Sequence, residues 1–411
     1  MDSMLLLHLM SELFPGRIRA IYINHQLQTI SNDWAKFVVA QCHSLNIPFI
    51  VENVQVAEGN LENQAREARY QAFLQHLQPN EILVLAHHQQ DQAETLMLRL
   101  LSGAGVSGLA AMKSLDIREQ LVIWRPLLDV SREQICQWVK EQDIAYVDDP
   151  TNLDTHYDRA WCRQELWHIL QSRFPAMQQA LSRTTTLMQD AEHILNEILH
   201  QDLANCGNAQ RLELTKLQQL SLPRQRQLLS MWMKGQQQYR PALDMVQRIQ
   251  NEVIEARQDA QAALHCNGYY YLRYQKYLYR LEHAVYQAQH QHRTVLNAEI
   301  ALRMGQTLQV AAGDFQISAC QWGLSPELLN RTLLLSDRQG GEKIHLNGRV
   351  GSWPLKKAIQ QAQIFPWLRH TIQILHIDNV MLGVFTPIGF WLASSEYCVE
   401  DGWRPDLISL E

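Results

Sequence analysis

Over its first 170 residues the chain switches repeatedly between helix-period and strand-like segments, and this alternation constrains the fold more than any other feature. Met4 to Leu13 reads as a helix, Ile18 to Ile23 as a strand, Asp33 to Leu45 as a helix and Phe49 to Val54 as a strand. Leu61 to Leu77 reads as a long helix with Leu61, Ala65, Ala68 and Ala72 on one side. Ile82 to Ala86 then reads as a buried strand, Asp91 to Leu101 as a helix and Leu121 to Trp124 as a short strand. Such alternation implies an α/β domain with a doubly wound parallel sheet covered on both faces. Ligands of such a sheet bind at the C-terminal ends of its strands.

The remaining chain is built differently. At roughly 150 residues per domain, 411 residues predict two or three domains, and 46% hydrophobic residues are enough to give each a core. The expected division is a catalytic domain over residues 1–173, a linking helix over 174–203, a middle domain over 204–290, a linker and entry over 291–330, and a small α+β module over 331–411. In the linking helix Met177, Leu181, Leu187, Ile194 and Ile198 suit one amphipathic face. The middle domain reads as mainly helical, turning into an aromatic, β-favouring stretch from Tyr269 to Leu281, with Tyr286 to Arg293 as a linker. The last module alternates short apolar runs with the turns Gly340-Gly341, Asn347-Gly348 and Gly351.

Charge separates the two ends. Residues 1–160 hold 12 Lys and Arg against 20 Asp and Glu, the remainder 24 against 22, and seven basic residues stand against two acidic ones between Arg331 and His370. An acidic front with a basic rear suits a catalytic domain joined to one that binds a polyanion; ordinary solvated basic faces are the competing reading. Seven cysteines spread singly, with no CxxC pair, exclude a disulfide framework and a zinc ribbon. No apolar run reaches the roughly 18 residues of a membrane span, and Met1-Asp2-Ser3 lacks the basic region of a signal peptide. The expected address is cytoplasmic, with no membrane partner.

Several short constellations could carry chemistry. Asp2-Ser3 opens the first helix, where such residues most often serve as an N-cap. Polar turns follow three strands: Asn24-His25-Gln26, His87-His88-Gln89-Gln90-Asp91, and Arg125. Asp91 and Glu94 stand three apart at a helix start, on one face and near the positive end of its dipole. They either offset that dipole or hold magnesium or a substrate amine. His87 and His88 are adjacent and cannot face one ion as an i, i+4 pair would, which argues against a transition metal. Arg66 and Arg69 share a helix face and could contact phosphate or simply be solvated. The glycine-rich run from Ser102 to Gly108 lacks the ending of a Walker loop.

Taken together, these segments resemble the tRNA(Ile)-lysidine synthases, a family of PP-loop ATPases. Asp2-Ser3 with Leu6-Leu7-His8-Leu9 is similar to the second half of the family's Ser-Gly-Gly-x-Asp-Ser loop and its helix. Further matches are Ala65 to Tyr70, His88 to Thr95, Gly103-Ala104-Gly105 with Gly108-Leu109, Arg125 to Leu128, and Asp149 to Asp154 with Arg159 and Arg163. Near the C-terminus, Gly340 to Ile344, Gly348-Arg349, Leu355-Lys356-Lys357 and Pro366 to Arg369 resemble the family's last module. The sequence departs from the pattern at Asn24-His25-Gln26, at Gln90, which replaces one of two paired aspartates, and at Ala160. Ser-Gly-Gly and the strand before it are absent, and the resemblance leads to the expectation of about 15 to 25 further residues upstream of Met1, the length of one strand plus a loop.

The resemblance implies a ligase that joins L-lysine to C2 of the wobble cytidine of an isoleucine tRNA with a CAU anticodon, using ATP and Mg2+ and releasing AMP and pyrophosphate. It places Asp2, Ser3, His25 and His88 on ATP, Asp2 and Asp91 on magnesium, and Asp91, Glu94 and Arg66 in catalysis, with Asp91 and Glu94 on magnesium or lysine and Arg66 on phosphate. Arg159, Arg163, Lys343, Arg349, Lys356, Lys357 and Arg369 are the expected tRNA contacts. Two rival readings are a PP-loop tRNA thiolase, which would want a nucleophilic cysteine or a CxxC pair, and a non-catalytic tRNA-binding remnant. The sequence leaves a homodimer open.

Overall fold

The computed structural model describes residues 1–26, 31–56, 61–118, 121–148, 154–237, 240–257, 262–290 and 297–408, in two compact units, Met1–Ile198 and Leu199–Glu411. The segment from Asp149 to Leu153 and residues 291–293 of the expected linker lie outside the described residues.

In the first unit the expected alternation becomes α1 (Asp2–Leu13), β1 (Ala20–Asn24), α2 (Ser31–Ser44), β2 (Phe49–Asn53), α3 (Leu61–His76), β3 (Leu83–Val84), α4 (Gln89–Leu101), α5 (Val106–Leu109), β4 (Leu115–Arg118), β5 (Leu121–Trp124) and α6 (Arg132–Glu141). β1 pairs in parallel with β2 and β3 with β5, so the parallel sheet comes in two hydrogen-bonded pieces. β4 was not foreseen in the sequence; it runs antiparallel to β5 and forms the edge of its sheet. β3 is shorter than the expected strand, although the Leu85 amide still donates to the Trp124 carbonyl at 2.9 Å.

Apolar faces hold the layers together. Leu5 of α1 and Ile135 and Val139 of α6 are buried in one cluster, and Phe73 of α3, Leu83, Leu121 and Ile123 in another. After residue 153 the chain forms one helical run: α7 (Asp158–Trp161), a π turn (Cys162–Leu166) and α8 (Trp167–Arg173). Residues five apart on an α-helix stand about 140° apart around its axis. The π turn, closed by the Trp167 amide on the Cys162 carbonyl, brings both side chains to one side, where they pack against Ala93 of α4.

The linking helix α9 runs Met177–Cys206 rather than 174–203, because Phe174 caps α8. Its apolar stripe does not behave as one buried face: Met177 is buried, but Leu187 is 63% and Ile194 58% exposed.

In the second unit, β6 (Arg211–Glu213), α10 (Leu214–Gln219), α11 (Leu222–Lys234), α12 (Leu243–Arg248), β7 (Ala263–Cys266), β8 (Tyr269–Tyr274) and β9 (Tyr277–Glu282) come first. The strands form an antiparallel sheet in the order β6-β9-β8-β7. Helices thus share this region with a four-stranded sheet, of which the aromatic stretch supplies the two central strands. Tyr286 lies in α13 (His283–His290) and not in a linker, with its ring stacked on Tyr270 at 3.7 Å.

β10 (Asn297–Ile300), β11 (Thr307–Val310) and β12 (Gly313–Leu324) also replace expected linker. β10 pairs with β13 (Leu333–Asp337), and β12 pairs with the C-terminal strand, so a boundary at 331 would cut through two sheets. β14 (Lys343–Ile344), β15 (Trp353–Pro354), α14 (Leu355–Gln361), β16 (Gln373–Ile377), β17 (Val380–Thr386), β18 (Gly389–Leu392) and β19 (Cys398–Leu407) complete the module. Its sheets run β10-β13-β16-β17-β18 and β11-β12-β19, around a core that includes Phe315, Leu375, Phe385 and Trp403.

Because Leu5 anchors α1 one turn from Asp2, truncating it removes the support of that helix. Leu5→Ala is expected to destabilise the protein by about 2–5 kcal/mol, the range for buried leucines. Urea unfolding followed by tryptophan fluorescence measures it, and a loss below about 1 kcal/mol would show that α1 is not held by this contact.

Candidate active site

The polar turn after β3 and the start of α4 form the centre of the site. His88 is the N-cap of α4, its Nδ1 accepting from the Gln90 amide at 3.2 Å. Asp91 closes the capping box, its Oδ2 accepting from the His88 amide at 3.0 Å. The two residues therefore fix each other, and the His88 Nε2 lies 3.5 Å from the same carboxylate.

One turn later Glu94 points inward, with a side chain that is fully buried. Its Oε1 accepts from Gln90 Nε2 at 3.0 Å. Gln90, which stands where the related motif has an aspartate, thus spends its amide on Glu94. The π turn brings Arg163 to the opposite side. Arg163 Nε donates to Glu94 Oε1 at 2.6 Å, while its Nη2 donates to Glu94 Oε2 at 2.9 Å and to Asp91 Oδ1 at 3.0 Å. Such a fork is among the strongest arrangements for holding buried carboxylates. Arg163, expected on tRNA, is instead part of this buried cluster.

Asp2 completes the acidic side. The N-cap of α1 is Met1, with no side-chain capping bond, and Asp2 lies in the first turn, so neither Asp2 nor Ser3 is the helix cap that isolated statistics favour. Asp2 Oδ1 is buried without a hydrogen-bond partner, 4.0 Å from His88 Nε2. Ser3 is exposed. An orphaned carboxylate oxygen beside a second carboxylate fits a hard cation. Among the described residues no three acidic or imidazole groups converge on one point, and magnesium needs none, since it commonly takes one or two carboxylates and fills its shell with water and substrate phosphates. Asp2 and Asp91 are the residues that would hold it.

A basic rim lies beside the carboxylates, at the ends of β1, β3 and β5. Burial pushes the His87 imidazole down to about 3, with Arg125, Arg69 and Arg159 opposing protonation and Asp91 favouring it. His87 is therefore neutral at pH 7, and its Nδ1 is buried without a partner. His25 is lowered by burial first and by Arg69 second. Arg125 is buried, and its Nη1 donates to the Lys113 carbonyl at 2.7 Å. Arg159 Nη2 reaches Thr95 Oγ1 at 3.3 Å. Arg66 turns along its own helix, its guanidinium 4.9 Å from the centre of the Tyr70 ring.

The two carboxylates of α4 differ electrostatically. Burial raises the Glu94 carboxyl, although the hydrogen bonds and charge of Arg163 pull against it. For Asp91 burial also pushes upward, but His88, the His88 amide, His87 and Arg163 together hold it below its usual value. Asp91 thus suits permanent cation binding, whereas Glu94 is the better proton acceptor.

The sequence marked His87, Gln90 and Arg125 as members of strand-end turns without giving them a role, and did not show the actual place of Arg163. His87 and Arg125 were legible as strand-end residues; Gln90 and Arg163 required the α4 face and the π turn. The expected tRNA contacts of the last module separate as well. Lys343, Arg349, Lys356 and Lys357 are exposed, Arg349 also donating to Gln361 at 3.1 Å, whereas Arg369 is half-buried, with its Nε on the Ile364 carbonyl at 3.0 Å.

Comparison with known proteins adds a separate line of observation. A PP-loop domain model matches residues 1–170, a TilS substrate binding domain model residues 212–279, and a TilS substrate C-terminal domain model residues 333–397. The tRNA(Ile)-lysidine synthase of Acinetobacter baylyi is 62% identical over 409 residues, covering 100% of this chain and 89% of that protein. That of Shigella flexneri is 33% identical over 396 residues, covering 94% and 90%. A solved U34-tRNA thiolase from Methanococcus maripaludis covers 46% of the chain and 68% of its own at 14% identity and a TM-score of 0.39, a likeness that carries no argument.

The depressed His87 makes one prediction. The unfolded chain takes up a proton at an imidazole near pH 6.5 that the folded protein does not take up until about pH 3. Stability present at neutral pH is therefore lost as pH falls through that window. In urea unfolding between pH 7 and pH 4, His87→Gln should lose stability less steeply than wild type, by close to one proton; identical slopes would refute a neutral buried His87.

Proposed function

The chain belongs to the tRNA(Ile)-lysidine synthase family, and from that premise we propose that it ligates L-lysine to C2 of the wobble cytidine of an isoleucine tRNA with a CAU anticodon. C2 of cytosine is a poor electrophile. Its carbonyl oxygen first attacks ATP, which adenylates the base and expels pyrophosphate; the lysine ε-amine then displaces AMP and forms the new carbon-nitrogen bond. The observation that carries this reading is the Asp91–Glu94 pair beside the orphaned Asp2 oxygen, since the two steps need different things from acidic groups.

Adenylation needs the polyphosphate held and its charge offset. Magnesium, when bound, would supply that charge at Asp2 and Asp91. His88 holds the start of α4 and keeps Asp91 oriented toward it. Arg125, Arg69 and Arg159 surround His87 on the other side, and their charge favours the departing pyrophosphate. His25, lowered by burial and by Arg69, stands on the same side, and Arg66, turned onto Tyr70, is the further arginine we assign to phosphate. Transfer needs a neutral amine, so a carboxylate must bind the lysine ammonium and then take its proton. Glu94 fits because burial raises its proton affinity while Arg163 keeps it charged enough to bind a cation.

The last module takes the body of the tRNA, with Lys343, Lys356 and Lys357 on phosphates. A cytoplasmic address follows from the substrates; no helix among the described residues is long and apolar enough to cross a membrane. Sulfur transfer fits this chain less well. Cys162, packed against Ala93 below the carboxylates, is pushed up first by burial and then by Glu94, the reverse of what a nucleophilic thiolate requires.

Glu94→Gln should keep ATP binding and abolish lysine transfer, because the amide neither binds an ammonium strongly nor accepts its proton. Radiolabelled lysine incorporation into the tRNA, with ATP binding measured in parallel, decides it; transfer at the wild-type rate would remove Glu94 from the chemistry. For the last module, Lys356→Ala with Lys357→Ala should weaken tRNA binding and make its log-log salt dependence shallower by roughly one to two units. ATP-driven adenylation at saturating tRNA should survive, since phosphate contacts position the substrate and do not form the transition state. An unchanged affinity and slope would mark both lysines as merely solvated.

A further inference from the structure

Arg163 sits at the one position where a single nitrogen touches both carboxylates. Its Nη2 donates to Asp91 Oδ1 at 3.0 Å and to Glu94 Oε2 at 2.9 Å, while its Nε secures the other Glu94 oxygen at 2.6 Å. We infer that Arg163 is a positioning residue for the lysine-transfer step, fixing Asp91 and Glu94 at the spacing one ammonium group can bridge; this rests on the functional reading above.

Three observations carry the inference. The first is acceptor capacity. Glu94 Oε1 already accepts two bonds, from Gln90 and Arg163, whereas Oε2 and Asp91 Oδ1 each accept one described bond and keep a lone pair. Asp91 Oδ2 accepts from the His88 amide and lies 3.5 Å from His88 Nε2, on the side of the helix cap, so the acceptors that Asp91 and Glu94 present together are the two that Arg163 Nη2 holds. The second is the backbone that delivers the side chain. Arg163 stands in a π turn between α7 and α8, the kind of helix irregularity that recurs at functional sites, and the neighbouring Cys162 and Trp167 are packed against α4, which fixes the turn relative to both carboxylates. The third is exclusion of the alternative role. An arginine with its fork on two buried carboxylates has no planar edge left for bidentate binding of a tRNA phosphate. Arg159, four residues earlier, reaches Thr95 Oγ1 on α4 at 3.3 Å.

Charge explains why such a residue is needed. Two carboxylates this close repel each other, and without a cation they would separate or take up a proton. With no metal on Asp91, one guanidinium leaves the pair with a net negative charge, enough to draw in one more monovalent cation. A lysine in its place would carry the same charge and three donors on one nitrogen, but without the planar fork that grips both Glu94 oxygens in a fixed geometry.

Steady-state kinetics of the intact protein with saturating ATP and tRNA test this, using Arg163→Lys and Arg163→Ala. KM for lysine should rise about tenfold to a hundredfold in Arg163→Lys, the scale of losing charge-assisted hydrogen bonds, with tRNA affinity unchanged. In Arg163→Ala, guanidinium chloride well below denaturing concentration should restore part of the lysine transfer. A fall in tRNA affinity with KM for lysine unchanged would make Arg163 a tRNA contact and overturn the inference. A lowered melting temperature with unaltered lysine kinetics would reduce it to a structural tie and overturn it equally. If the wild-type protein transfers no lysine, the functional reading falls and the inference with it; if only the Arg163 variants behave like wild type, the inference alone falls.

Discussion

Burying a carboxylate in a protein interior is expensive unless a cation goes in with it, and in this molecule the Arg163 fork on Glu94 and Asp91 meets that requirement. Much of the first unit is arranged around the bond. α4 must start at His88 so that Asp91 and Glu94 share a face, and the capping box between His88 and Asp91 sets that start. The helical run from Asp158 to Arg173 must widen by a π turn so that Cys162 and Trp167 face α4 together. Gln90 completes the arrangement from within α4, taking the one Glu94 lone pair that would otherwise be left over on Oε1.

The alternation of the first 125 residues made the α/β layering legible, because period 2 and period 3.6 patterns are hard to confuse over eight successive segments. The β4 edge strand was not legible. Leu115-Asp116-Ile117-Arg118 does alternate, but over only four residues, and its apolar members Leu115 and Ile117 are exposed at the sheet edge. The same short-range ambiguity hid β10 to β12, whose pairing partners lie far along the chain: β12 joins β19 across some eighty residues, a contact no local window contains. In α9 the failure ran the other way. Leu187 and Ile194 form a regular stripe that periodicity reads as a buried face, and in the structure both side chains are exposed.

For the site, the sequence placed Asp91 and Glu94 on one helix face and put polar residues at strand ends, because both follow from local geometry. It could not place Asp2 against His88, since that contact depends on α1 packing against α6 through Leu5, Ile135 and Val139. Nor could it show which arginines are committed inside the protein. Arg163 looked like a surface cation four residues from Arg159; only the π turn and the burial of Glu94 reveal that its charge is already spent.

The same consideration limits what a count of basic residues says about RNA binding. Seven cations between Arg331 and Arg369 suggested a strongly polyanion-binding module. Arg331 pairs with Asp378 at 2.8 Å, Arg338 lies 4.0 Å from Glu342, Arg349 is bonded to Gln361, and Arg369 supports the turn at Ile364. Lys343, Lys356 and Lys357 are exposed and in no ion pair among the described residues, and Arg349, exposed and hydrogen-bonded only to a neutral amide, keeps its charge as well. Each phosphate neutralised would contribute a little under one unit to a salt slope, so the ion pairs at Arg331 and Arg338 lower what seven cations would suggest. The arginines, with planar groups better suited to fixed geometry, are used where the protein needs permanence: in the turns of this module, and above all on Glu94.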